Sequence, residues 1–215
     1  SAIYYSQVYN SMALKYWIEY FRSLKGICSG TLYWKFNDPA ADCAKGGIFP
    51  SHMSVIDMFG QPKMTYYYTR RAYEDFLVCC TEKKDAFRIH ACSELTEEIK
   101  GTLHITHMDF KGKVILEKSM ACTASADSTT LLAEFPGCTF AVKDKYEEYF
   151  RIRFDTSGCE YENRYFFADI CEINRLKLPP AGLRIRKASF EDGNIRLYLY
   201  TENFARSVRL RLSDR

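Results

Sequence analysis

The spacing of apolar residues predicts helices in the first third of the chain. Over residues 5–24 apolar side chains recur at helical spacing, and Gly26 follows where a C-terminal cap is expected. The apolar positions are Tyr9, Ala13, Trp17, Tyr20, Phe21 and Leu24. Pro62 then opens a second predicted helix that runs to about residue 76.

A short apolar run lies between the two predicted helices. Residues 27–36 are rich in Thr, Tyr and Trp, and the turn-like sequence Asn37-Asp38-Pro39 follows them. This composition predicts a buried strand, and a polar, glycine-containing loop covers residues 42–50. The order helix, strand, loop, helix is typical of an α/β protein, but one such unit cannot close a barrel.

From residue 77 onward apolar and polar residues alternate. Predicted strands recur about every ten residues and are separated by turn residues such as Lys111-Gly112, so residues 77–178 are predicted to form an antiparallel β-sandwich. Pro179-Pro180 reads as a rigid linker. Three more predicted strands at 183–186, 194–200 and 207–212 indicate the start of a second, incomplete sandwich over 179–215.

Charge and cysteine usage narrow the possible functions. The net charge is +3, from 30 basic and 27 acidic residues spread along the chain, so no nucleic-acid partner is expected. No apolar run is long enough to span a bilayer, so no membrane insertion is expected. Nine cysteines occur without CxxC spacing. Cys92, Cys122 and Cys171 lie in strand-like stretches and are predicted to be inert core thiols, which suits a cytoplasmic protein.

No metal site or cofactor is predicted. His104 and His107 are three apart in an alternating strand, which points them to opposite faces, and we expect both to be solvent-facing or edge residues. After the linker, basic residues alternate with apolar ones, as in a sheet with one solvent-exposed face. These basic residues are assigned no binding role. They are Arg184, Arg186, Arg196, Arg209 and Arg211.

Several blocks of the first 75 residues carry a family resemblance in their order and spacing. They are Gln7-Val8-Tyr9, Ala13-Leu14-Lys15-Tyr16, the run GTLYWKFND from Gly30 to Asp38, Ser54-Val55-Ile56-Asp57, Phe59-Gly60, Lys63, and Tyr68 through Arg70-Arg71-Ala72-Tyr73. The blocks resemble the end of the catalytic barrel of β-mannosidases in glycoside hydrolase family 2. The resemblance implies the last helix-strand-helix of a (β/α)8 barrel over 1–76, an immunoglobulin-like β-sandwich over 77–178, and the start of a second sandwich.

The resemblance also implies a function for a longer parent. Family members cleave a terminal β-linked sugar with retention, using two glutamates whose carboxyls lie roughly 5 Å apart. Both would precede Ser1, so no catalytic residue is assigned here. The chain is therefore expected to be a C-terminal portion of such a glycosidase, inactive alone. An oligosaccharide or glycoside is the expected substrate of the parent.

Three residues are candidates for sugar binding. Trp34 matches the aromatic at the end of the eighth barrel strand of the family, where its indole would form a platform for a pyranose; a core role is the alternative. Asn37 and Asp38 could hydrogen-bond sugar hydroxyls or hold the surrounding pocket, or could simply form an Asx turn. The loop after Asp38 lacks the tryptophans usual in family mannosidases, so galactosidase, glucuronidase and glucosaminidase relatives remain open.

Two other classes of function remain. An autonomous carbohydrate-binding module would need exposed aromatic residues on one sheet. The candidates are Tyr146, Tyr149, Tyr161, Tyr165, Phe166 and Phe167, although their alternation favours a core. A structural or assembly domain would expose an apolar patch, and we expect self-association through residues 1–76.

Overall fold

A computed structural model describes residues 2–38 and 54–210. Within these ranges two helices precede nine strands. The helices are α1 (Ala2–Arg22) and α2 (Met64–Ala72), which pack against each other. The strands are β1 (Phe76–Lys83), β2 (Ala86–Ser93), β3 (Ile99–Asp109), β4 (Val114–Ala124), β5 (Thr129–Pro136), β6 (Glu148–Asp155), β7 (Glu160–Phe166), β8 (Arg184–Glu191) and β9 (Asn194–Tyr200).

Strands β1 to β7 form the predicted antiparallel sandwich, which is thus confirmed. One sheet has the order β1-β2-β5 and the other the order β4-β3-β6-β7. Alternating residues of both sheets meet in one core, because a strand turns every second side chain to the same face. Its buried centre includes Phe87, Ile89, Leu103, Ile105, Phe150, Ile152 and Phe154.

Gly101 permits close packing at one end of this core. A Cβ atom at that position would lie 2.5 Å from the Asp155 carbonyl oxygen and 2.6 Å from the Phe154 ring. Both approaches are shorter than van der Waals contact, so only glycine fits at this end of the pairing between β3 and β6.

His107 corrects one prediction from the sequence. It is fully buried rather than solvent-facing, because its side chain lies on the inner face of β3 together with those of Leu103 and Ile105. Its Nε2 atom lies 2.7 Å from Oε2 of Glu148, and its ring lies edge-on to Phe150. His104 does lie on the opposite, outer face, 2.8 Å from the Ser119 hydroxyl. The described residues hold no cluster of metal-binding side chains.

Polar contacts join α1 and the residues just after it to the sandwich and to α2. Asn163 of β7 donates to Glu19 at 2.8 Å and to the Val78 carbonyl at 2.8 Å. Arg22 donates to the Ala72 carbonyl at 2.7 Å, which ties α1 to the end of α2. Lys25, just beyond α1, pairs with Glu94 and Asp127 at 2.7 and 2.6 Å. The helices and the sandwich are therefore joined by specific bonds.

The predicted buried strand at residues 27–36 is wrong. No strand occurs there, and Leu32, Trp34 and Phe36 are exposed. A strand buried on both faces needs a neighbour along each edge. Among the described residues the bridges at its two ends are isolated ones, Lys25 with Cys28 and Asn37 with Ile56. The first third of the described chain is thus a helix pair with an irregular segment, and the predicted loop at 42–50 lies outside the described residues.

Beyond the linker, β8 and β9 form a hairpin. Its turn, Asp192-Gly193, has positive φ at both residues (51° and 76°), as a tight two-residue hairpin turn requires. The third predicted strand does not form over residues 207–210, and 211–212 lie outside the described part. The described residues thus contain two of the three predicted strands.

Two further observations bear on the sequence-based expectations. Cys92 is buried as predicted, but Cys122 is only partly buried and Cys171 is exposed, because Cys171 lies in a short 3-10 helix on the surface. None of the helices described is both long and apolar enough to cross a bilayer.

Candidate functional site

The segment from Thr31 to Asp38 is held in place at its start by Tyr73, just after α2. The Thr31 hydroxyl lies 2.6 Å from the Tyr73 hydroxyl, which also donates to the Thr31 carbonyl at 3.2 Å. The rings of Tyr33 and Tyr73 have centroids 6.4 Å apart. These contacts fix the chain immediately before Trp34.

A buried ion pair fixes the other end of the segment. Nζ of Lys63 lies 2.6 Å from Oδ2 of Asp38 and 2.6 Å from the Ser54 hydroxyl. That hydroxyl also donates to Oδ1 of Asp38. The side chains of Lys63 and Asp38 are only 10% and 11% exposed. Backbone bonds from Asp38 to Ile56 and from Val55 to Phe36 complete the frame.

The Asp38 carboxyl is ionised by its surroundings. Burial alone raises the pKa of Asp38, but the hydrogen bonds from Lys63 and Ser54 outweigh it and leave the pKa below its ordinary value. A carboxyl held in this way is a poor proton donor near neutral pH. The geometry makes Asp38 the anion that joins Lys63 and Ser54 to the end of this segment.

Replacing Asp38 by asparagine should therefore change the stability of the chain in a pH-dependent way. Because the folded pKa is depressed, the carboxylate stabilises the fold above its ordinary pKa of 3.8, and this contribution is lost as the pH falls through the folded value. We expect Asp38→Asn to lose about 2–3 kcal/mol at pH 7. Urea unfolding at several pH values checks this: the two proteins should converge in acid, and an undiminished difference at pH 2 would contradict the assignment.

The three predicted site residues occupy different environments. Asp38 lies in the ion-pair cluster, whereas the Trp34 side chain is 80% exposed. Asn37 is also exposed, and its amide donates to the Asp38 carbonyl at 3.4 Å. Sequence reasoning missed Ser54 and Lys63 as the partners of Asp38, although both stand in the blocks that carry the family resemblance.

The sandwich aromatics do not form an exposed platform. The six candidates are all buried or half-buried, and several pack in ring clusters; Phe150, for example, lies 4.6 Å from Phe167 between ring centroids. Among the described residues from 76 to 178 no aromatic side chain is exposed. Stacking on a sugar needs an accessible ring face, which this surface lacks.

The sandwich is similar to a known family of domains. Residues 85–170 match the family model of the mannosidase Ig/CBM-like domain. This range covers most of the strands that form the two packed sheets. No curated protein sequence matches the chain.

Solved structures extend the likeness to nearly the whole chain. The β-D-mannosidase from Dictyoglomus thermophilum has a TM-score of 0.79 and 25% identity, over 97% of this chain and 24% of that one. The Amycolatopsis orientalis exo-chitosanase has a TM-score of 0.66 at 13% identity, over 92% of this chain and 26% of that one, and shows the fold alone. These matches confirm the resemblance to family 2 glycoside hydrolases of β-mannosidase type. The chain spans about a quarter of the length of the structures it matches.

Proposed function

We propose that the chain is the C-terminal portion of a retaining exo-β-glycosidase of β-mannosidase type, acting on terminal β-linked sugars in a longer parent and inactive alone. The likeness to a β-D-mannosidase over 97% of this chain, but only 24% of that enzyme, supports the proposal. In this proposal the two catalytic glutamates belong to the remainder of the parent. The terminal sugar itself stays open between mannose and the sugars of related glycosidases.

The observation that carries the proposal is the exposed indole of Trp34 on a segment fixed at both ends. Tyr73 binds Thr31 on one side, and the Lys63–Asp38 pair holds the other side. An apolar indole face held in this way suits the C–H face of a pyranose, since a preorganised ring loses little freedom on binding. In this proposal Trp34 binds the sugar, and Asp38 holds the segment that carries Trp34 in place.

The sandwich has a supporting role in the proposed enzyme. Its contacts from Asn163 to Glu19 fix α1, and the bond from Arg22 to the Ala72 carbonyl fixes α1 against α2. Since Tyr73 directly follows α2, these bonds also set the place of the segment that carries Trp34. The alternative of an autonomous carbohydrate-binding sandwich is less favoured because its aromatic side chains are packed inward.

Replacing Trp34 by alanine in the parent enzyme should lower kcat/KM for an aryl β-mannoside by about 10- to 100-fold, because an aromatic stacking contact and its buried area are lost. Trp34→Phe, which keeps an aromatic face, is the matched variant and should retain most of the activity. Steady-state hydrolysis with both variants tests the proposal. An unchanged kcat/KM in the Trp34→Ala variant would contradict the assignment of Trp34 to the sugar site.

A further inference from the structure

A cleft lined by both polar and apolar side chains lies between α1, α2, β7 and the segment that follows β9, and Trp34 does not line it. Its volume is about 1360 Å³. The polar side chains that line it include Tyr68 and Arg71 from α2, Arg164 from β7, and Arg206 and Arg209 from the last described segment. The proposed glycosidase function uses none of these groups.

Arg206 is the unusual residue of this cleft. Its guanidinium lies 5.1 Å from the centroid of the Phe166 ring, and Nη1 donates to the Ile173 carbonyl at 3.3 Å. Its Nε and Nη2 atoms are buried and have no acceptor among the described residues. Burial lowers the pKa of Arg206. A buried cation without a counter-charge is costly, so an anion that reached it would gain free energy.

The surroundings of Tyr68 add a second cation. The guanidinium of Arg71 lies 5.0 Å from the centroid of the Tyr68 ring, and the Tyr68 hydroxyl lies 2.9 Å from Oγ of Ser207, the residue next to Arg206. Neither Arg71 nor Arg209 has an acidic partner in the described ranges. The cleft thus offers cations that no carboxylate of the described chain neutralises.

Four acids line the same cleft, and all but Glu74 have a partner among the described residues. Glu19 pairs with Lys15 at 2.7 Å, and Glu162 pairs with Arg164 at 2.5 Å. Asp57 accepts the backbone N–H groups of Phe59 and Gln61. Occupied carboxylates repel an incoming anion less than free ones, because their charge is already partly compensated.

We propose that this cleft binds an oxyanion, a carboxylate or a sulfate, between Arg71 and Arg206 and beside Tyr68. A guanidinium presents parallel N–H groups that match the two oxygens of such an anion. Arg206 meets the ligand by turning its side chain toward the cleft, a rotamer change of the kind common at binding sites. An acidic sugar unit would supply the carboxylate, and a sulfated sugar the sulfate.

Titration of the 215-residue chain with sodium glucuronate, sodium sulfate and neutral glucose tests this proposal. The titrations are made at constant ionic strength and followed by NMR of the arginine Nε–H signals. We expect saturable shifts with both anions and none with glucose. Arg71→Gln should weaken anion binding roughly tenfold, as loss of a charge-assisted hydrogen bond predicts. Arg206→Gln should do the same.

The neighbouring residue on α2 gives a matched control. Arg70 is exposed and is not among the residues that line the cleft, so Arg70→Gln should leave both affinities unchanged. Arg71 is exposed too, so its replacement should leave the fold intact even if Arg206→Gln destabilises it. Absence of saturable binding by both anions would overturn the proposal, as would equal binding by the Arg71 and Arg70 variants.

Discussion

Replacing His107 by alanine is expected to lower the free energy of unfolding by about 3–5 kcal/mol, because the substitution removes a fully buried ring and leaves Glu148 without a hydrogen-bond partner. Glu148, which also accepts the Lys143 backbone N–H at 3.3 Å, would lose its contact to the imidazole inside the sandwich. A cavity would open beside the rings of Phe140 and Phe167, which now lie edge-on to His107. Urea unfolding at pH 7 measures this loss.

His104 on the same strand supplies the control. It lies on the outer face, where its ring contacts the Ser119 hydroxyl and lies 3.3 Å from Asp155. Such half-exposed contacts are worth little, so His104→Ala should cost less than about 1 kcal/mol. Equal losses of unfolding free energy in the two alanine variants would contradict the view that His107 is a core residue on the inner face of β3.

Self-association is the second large effect expected of this chain. Helix α1 presents a stripe of exposed aromatic side chains, with Trp17 60% exposed. The others are Tyr5, Tyr9, Tyr16, Tyr20 and Phe21. Burying each such side chain is worth roughly 1.5–3 kcal/mol, and an exposed patch of this kind marks an interaction surface. We expect the purified chain to form dimers or larger assemblies in sedimentation velocity experiments.

Charge substitution locates the contact. The double variant Trp17→Glu with Phe21→Glu should be monomeric at concentrations where the unaltered chain associates, since burying two carboxylates is unfavourable. Phe190→Glu is the matched variant, because Phe190 is 73% exposed on the β8–β9 hairpin. Loss of association only in Phe190→Glu would instead place the contact on the hairpin.

A chain trimmed to residues 75–178 should stay folded and monomeric, because its core lies between its own two sheets.

Periodicity predicted the helices and the sandwich because local spacing decides both. The helix expected over residues 5–24 is α1, and the second predicted helix is α2, shorter at both ends. Alternation located β3 and β6 because each strand has one face in a common core. Buried strands of the barrel type are different, since their apolar run is satisfied only by neighbouring strands. The run around Trp34 therefore remained exposed.

Long-range polar pairs account for two further features that the sequence analysis missed, the burial of His107 and the partner of Asp38. His107 was expected to be a solvent-facing or edge residue, but Glu148, 41 residues further on, forms a hydrogen bond with it inside the core. Asp38 could be selected from its place in a motif, whereas its partner Lys63 stands 25 residues away. Pairing of this kind depends on the tertiary fold, which spacing along one sequence does not reveal.

The central claim, that this chain is a non-catalytic portion of a β-glycosidase, is tested most directly by hydrolysis of 4-nitrophenyl β-mannoside by the purified 215-residue chain. We predict no release of nitrophenol above the buffer rate at any substrate concentration, because no pair of glutamates is assigned here to the two catalytic roles. Saturable turnover that copurifies with the chain would contradict the claim.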